Sequence, residues 1–148
     1  QGDEPAINPE DIKKLYNFMI KYNSDIGTLA SEINEVSILN NENVVKVKTE
    51  EKLKNNNFVI AKNFSRDNLS KESLNVYHHI GIYCYRVSAL KKFVNLEQTK
   101  NEINNRLEQL RAIDNSIKIN VALANFSPIG IDTKEDYLAL KKIMEYKS

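Results

Sequence analysis

The sequence has a single cysteine, Cys84, in 148 residues. One thiol cannot form a disulfide within the chain, and a zinc site built on cysteines is excluded with it. Cys84 lies in an alternating apolar run, which marks a buried, inert thiol rather than a nucleophile. A reducing cytosol fits, so the expected location is cytoplasmic. Histidine is almost as scarce. His78 and His79 are adjacent and are the only two, which speaks against a histidine zinc site. No window approaches the roughly 18 apolar residues of a membrane span. The formal net charge is +1, with 21 Lys and Arg scattered among 20 Asp and Glu. That leaves no basic stripe, and no nucleic-acid partner is expected. Only 4 of the basic residues are Arg, against 17 Lys, in a chain with 20 Asn. An AT-rich genome produces this bias without functional cause. It makes each Arg more informative, because Lys cannot reproduce the guanidinium fork.

What is present reads as one soluble globular domain over residues 1–148, with 41% hydrophobic and 28% charged residues. Asn8-Pro9-Glu10 is a helix start: a cap, a residue suited to the first turn, and a charge that complements the dipole. Ile12, Leu15, Tyr16 and Met19 continue at helical spacing, and the helix should fade near Tyr22-Asn23. Residues 26–33, 43–49 and 58–65 read as strands, the last two joined as a hairpin through a polar connection. Residues 67–75 form a polar loop. Residues 77–86 are the strongest strand, with Ile80, Ile82 and Cys84 on one face and His79, Gly81, Tyr83 and Tyr85 on the other. Residues 87–96 and 99–113 read as helices, the second burying Ile103, Leu107 and Leu110. Residues 116–124 alternate as a strand, and 133–146 close the chain as a helix capped by Thr133. Alternating helices and strands imply an α/β protein with a mixed sheet. There is no internal repeat and no low-complexity tract.

Two acidic loops stand out, Gly2-Asp3-Glu4-Pro5 and Gly130-Ile131-Asp132-Thr133. In α/β sheets ligands bind at the carboxyl ends of strands, where Asp3 would sit if a strand preceded Gln1. Surface Asp-Glu pairs are common, and Asp-Thr ahead of a helix is often only a cap. Brought together by the fold, the two loops suit a hard cation with positions open to phosphate oxygens. His79 shares a strand face with Tyr83 and Tyr85. It is either a satisfied structural histidine or, with Arg66, part of a site for a carboxylate- or hydroxyl-bearing ligand. Glu108 and Arg111 are one helical turn apart, and a simple intrahelical pair accounts for them.

Taken together, QGDEP (1–5), FSR (64–66), HIGIYCYR (79–86), LEQLR (107–111) and GIDTKED (130–136), in this order and spacing, closely resemble the 3-deoxy-manno-octulosonate cytidylyltransferases, the CMP-Kdo synthetases. The resemblance runs over essentially the whole chain. It implies a nucleotidyltransferase fold of Rossmann-like type and a homodimer. It also implies transfer of CMP from CTP to the sugar acid Kdo with release of pyrophosphate, activating Kdo for lipopolysaccharide synthesis. By the same resemblance Asp3 and Asp132 are the catalytic carboxylates and hold Mg²⁺. Gln1 lies beside nucleotide and sugar, and Arg66, His79, Tyr83, Glu108 and Gln109 line the Kdo pocket. The attacking group is the anomeric hydroxyl, with little covalent work for the protein.

The chain departs from the family pattern in places. The glycine-rich triphosphate loop and the cytosine-recognising elements belong ahead of Gln1, so the expectation is a C-terminal portion lacking its nucleotide-binding part and inactive alone. Asp67–Asn75 lacks an Ile-Pro and a further Arg, Asn105 stands where an acid is usual, Thr99-Lys100 replaces Ser-Pro, and Lys134 replaces Pro. A cytidylyltransferase for another sugar acid, such as sialic acid or amino-Kdo, and a non-catalytic remnant serving as a binding or assembly module are the alternatives.

Overall fold

The computed structural model describes residues 7–67, 74–125, 138, 141 and 142. It begins with helix α1 (Pro9–Lys21), started as expected: Asn8 Oδ1 accepts from Glu10 N at 3.0 Å, and Pro9 occupies the first turn. Tyr22 and left-handed Asn23 end it. Leu15 and Met19 are buried, but Ile12 and Tyr16 are 41% and 58% exposed. The inward face instead includes Asp11, whose carboxylate is fully hydrogen-bonded.

Strand β1 (Ile26–Ser31) follows, then a single turn of helix, α2 (Val36–Leu39). Next come β2 (Lys46–Thr49), β3 (Val59–Ser65) and β4 (Val76–Tyr85). β2 starts three residues later than its apolar pattern, because Asn41 to Val44 form a turn: Asn41 Oδ1 accepts from Asn43 N, and Asn41 O accepts from Val44 N. β2 and β3 pair antiparallel, as the hairpin reading required. Helices α3 (Val87–Val94), α4 (Lys100–Asn105) and α5 (Leu110–Asp114) lead to β5 (Ile119–Leu123).

The strands join in the order β1-β4-β2-β3-β5 and close on themselves as a barrel. Only β1 and β5 run parallel, so the sheet is mixed, as expected for the α/β class. The two faces of β4 separate as the alternation implied. Ile80, Ile82 and Cys84 pack with Leu29, Ala122, Phe58 and the Leu15 and Met19 side chains of α1. Tyr77, Tyr83 and Tyr85 pack with Ile26, Val47, Phe64, Val121, Phe93 of α3 and Leu110 of α5. A register shift between Thr28 and Leu29 skips two residues of β4, an even number that preserves this division.

One expected element is two. Residues 99–113 do not form one helix: α4 stops at Arg106, which is left-handed (φ 52°, ψ 45°). The cause is Glu102. Its carboxylate, 5% exposed, receives the Arg111 fork from nine residues away. On a continuous helix those residues would be about 13 Å apart along the axis and on opposite faces. The buried pair therefore demands the break, and Ile103, expected inside, is 57% exposed. The expected helix 133–146 lies largely outside the described residues.

Candidate active site

β4 carries a line of rings that runs across the sheet. Phe64 and His79 meet edge to face at 5.0 Å between centroids, His79 and Tyr83 lie at 5.5 Å, Tyr83 and Tyr85 at 6.0 Å, and Tyr85 and Phe93 at 5.9 Å. The Arg111 guanidinium ends the line, 4.9 Å from the Phe93 ring centre.

His79 is 7% exposed, with Nε2 2.9 Å from Thr28 Oγ1. The Thr28 hydroxyl has one proton and sits 2.7 Å from the Ile82 carbonyl, a hydrogen bond that only Thr28 can donate. Thr28 therefore accepts from His79, which sets the neutral Nε2–H form. Burial, assisted by neighbouring His78, pushes the imidazole pKa down to about 3. At neutral pH His79 is an uncharged polar ring held at one nitrogen.

Tyr83 differs from every other tyrosine described. Its hydroxyl is buried and has no hydrogen-bond partner among the described residues. Burial holds its pKa far above the ordinary value, with Tyr85 and Glu108 adding to the effect. A buried phenol without a partner is costly, so it marks a place where a polar ligand atom would be stabilised. Tyr85 is shifted upward by burial and by Glu108, while Arg111 opposes. Glu108 thus lies within electrostatic reach of both rings. It is 74% exposed and 3.6 Å from Arg111, a contact secondary to the Arg111–Glu102 pair. Gln109 follows it and immediately precedes α5.

The structure therefore brings His79, Tyr83 and Glu108 to one region, with Gln109 beside them in the chain. Arg66 Nη1 donates to the carbonyls of Asn43 (2.7 Å) and Glu42 (3.4 Å). Its own carbonyl accepts from Lys46 Nζ at 3.0 Å, and Asn41 O accepts from the same ammonium at 2.7 Å. Lys46 is 1% exposed, and burial lowers its pKa. Arg66 and Lys46 together fix the Asn41–Asn43 turn against the end of β3. Asn105, the residue in an acidic position, donates to Asn101 O and Oδ1, both at 2.9 Å, and so serves α4 itself.

Gln1, Asp3 and Asp132 lie outside the described residues. Among the described residues no cluster of His, Cys, Asp and Glu could hold a metal ion. The chain on either side of the two acidic loops is nevertheless tied together. Asp11 of α1 accepts from Asn125 N (3.1 and 3.2 Å) and Nδ2 (2.8 Å), just beyond β5. Lys14 Nζ donates to Leu123 O at 2.7 Å. α1 follows the loop of Asp3, and Asn125 precedes the loop of Asp132.

Thr28 and Glu102 were not singled out from the sequence; Phe64 entered only within the FSR motif, and Tyr85 only as a neighbour of His79 on its strand face. Glu102 had a usable signal, since Thr99-x-x-Glu102 is a capping box, and both its hydrogen bonds are formed. Thr28 and Phe64 become notable only through what they meet across strands.

A family model described as cytidylyltransferase matches residues 1–119. The chain belongs to the cytidylyltransferase family. More narrowly, it is 38% identical over 158 residues to the 3-deoxy-manno-octulosonate cytidylyltransferase of Thermodesulfovibrio yellowstonii, covering 97% of this chain and 58% of that protein. It is 35% identical over 144 residues to the protein of the same name from Bartonella bacilliformis, with the same coverage. The chain thus spans less than two thirds of the length of these curated relatives. A solved structure of CMP:2-keto-3-deoxy-manno-octonic acid synthetase complexed with CTP matches with a TM-score of 0.85 and 26% identity, over 100% of this chain and 61% of that one. A UTP-bound UGPase from Acinetobacter baumannii matches at 0.62 with 8% identity, a likeness of fold alone. Among the described residues no helix is long and apolar enough to cross a membrane.

Proposed function

We propose that the protein carrying this chain transfers CMP from CTP to 3-deoxy-D-manno-octulosonate, giving CMP-Kdo and pyrophosphate and activating the sugar acid for lipopolysaccharide synthesis. The observation that carries this reading is the shared name of relatives aligned over 97% of the chain. The likeness to a CTP-bound synthetase supports the nucleotide, and supports a nucleotidyltransferase fold of Rossmann-like type.

In this reading His79, Tyr83, Glu108 and Gln109 form the sugar side. The unpartnered Tyr83 hydroxyl supports it, because a sugar hydroxyl or carboxylate would supply the missing hydrogen bond. Neutral His79 is a polar wall that binds without charge. Arg66 contributes the donors left over from its carbonyl contacts, and Gln1 lies where sugar and nucleotide meet. Asp3 and Asp132 would hold Mg²⁺, and the Asp11–Asn125 tie between the flanks of their loops supports that pairing. The bound ion would supply positive charge against that developing on the phosphate. The chain's own residues orient the acceptor for in-line attack by its anomeric hydroxyl, and no protein nucleophile is needed. A homodimer in the cytoplasm completes the reading.

The test is pyrophosphate release by the purified full-length protein that carries this chain, with CTP, Mg²⁺ and a panel of Kdo, amino-Kdo and sialic acid. The expected result is a kcat/KM for Kdo at least about a hundredfold above the others. Preference for another acid would reassign the substrate. Absence of turnover with all three would support a non-catalytic module. Light scattering at the dimer mass would support the homodimer, and a monomer would exclude it.

A further inference from the structure

Arg111 is given no role by the chemistry above, yet it is one of only 4 Arg and is held on every side. Its side chain is 11% exposed. Nε donates to Glu102 Oε2 at 2.8 Å and Nη2 to Glu102 Oε1 at 2.5 Å, a bidentate pair. Glu102 also accepts from Gln98 Nε2 and from the Thr99 amide. The Arg111 hydrogen bonds hold the Glu102 carboxyl below the usual carboxylate range, so both partners are charged at neutral pH.

We propose that Arg111 is a positioning residue that sets the affinity of the site for the sugar acid while leaving the nucleotide side unaffected. This rests on the reading of His79, Tyr83, Glu108 and Gln109 as the sugar side. Arg111 touches both halves of that side. Through Glu102 it closes the segment 103–110, whose corner bears Glu108 and Gln109, and it stands 3.6 Å from Glu108 itself. Through its cation–π contact with Phe93 it backs the ring line Tyr85, Tyr83, His79. One planar fork thus fixes the distance between the acidic corner and the rings. A lysine could not make two parallel hydrogen bonds to one carboxylate while keeping its charge over an aromatic ring.

The same helical pair has a second closure, made at Asp114. Its carboxylate accepts from Thr99 Oγ1 at 2.6 Å and from Asn101 Nδ2 at 3.0 Å. Holding α4 against α5 therefore does not depend on Arg111 alone, which separates positioning from folding.

The experiment is steady-state kinetics with CTP and Kdo varied in turn. Arg111→Lys is expected to raise KM for Kdo about tenfold, with KM for CTP changed less than about twofold, since displacement of a positioned group by a fraction of an ångström acts on the ligand it positions. Asp114→Ala, which opens the other closure without touching Glu102, should lower the melting temperature and leave both KM values in place. Should Arg111→Lys fold poorly, Glu102→Gln, which keeps the side-chain shape and loses the charged acceptor, should give the same split. An unchanged KM for Kdo, a parallel rise in both KM values, or an equal rise in Asp114→Ala would overturn the proposal. If the wild type prefers another sugar acid, the substrate assignment falls while the split, read with that acid, still decides the role of Arg111. A wild type inert toward every sugar acid overturns both.

Discussion

Replacing His79 by Gln should flatten the acid side of the stability profile. The ring is 7% exposed, packed between Phe64 and Tyr83, and donates through Nε2 to Thr28 Oγ1. Its folded pKa is lowered from 6.5 to about 3, first by burial and then by His78. Between those values the unfolded chain binds a proton at His79 and the folded chain does not. Stability is therefore complete above about pH 6.5 and falls as pH drops, by up to about 1.4 kcal/mol per pH unit for this one group. Ordinary carboxylates titrate mostly below pH 5, so the interval from 6.5 to 5 isolates it, with an expected loss approaching about 2 kcal/mol. The assay is urea unfolding of wild type and His79→Gln at pH 7, 6 and 5. Glutamine loses ring packing, but that offset is the same at every pH. The wild-type curve should descend toward the variant's as pH falls. Parallel curves would refute the reasoning, because they would mean that the folded ring protonates as readily as the unfolded one.

Tyr83→Phe removes a buried hydroxyl without a partner, so stability should hold or rise by up to about 1 kcal/mol. Its KM for the sugar acid should rise severalfold, and a loss of stability above about 1 kcal/mol by thermal unfolding would place the hydroxyl in the fold instead. Gly27→Ala would set a Cβ 2.6 Å from Met19 Sδ, 2.8 Å from Phe58 Cζ and 3.0 Å from Leu15 Cδ1. Phe58 is packed against the Phe18 and Tyr22 rings, which resist its displacement. A loss of about 1–3 kcal/mol is expected, read as a lowered melting temperature, and an unchanged one would show that α1 shifts freely on β1.

The local signals were legible where one residue governs one element. Asn8-Pro9-Glu10 places the start of α1, and the alternation of β4 separates Ile80, Ile82 and Cys84 from Tyr83 and Tyr85, because capping and strand pleat are short-range effects. Helical spacing misled in two places. In α1 the pattern named Ile12 and Tyr16 as inward, but Asp11 took the buried position because Asn125, 114 residues away, satisfies its carboxylate. In 99–113 the pattern joined two helices, because spacing is blind to an ion pair that forms only when the chain folds back.

The same division holds for the site. Motif order and spacing sufficed to place the chain among the cytidylyltransferases and to single out His79, Tyr83 and Glu108. Only the tertiary structure decided that Arg66 donates to the carbonyls of Glu42 and Asn43, that the Tyr83 hydroxyl has no partner among the described residues, and that Arg111 belongs to Glu102 more than to Glu108. Residue type and local spacing are properties of the chain. Which polar groups are left to find partners depends on which distant strands and helices bury them, and burial exists only once the barrel has closed.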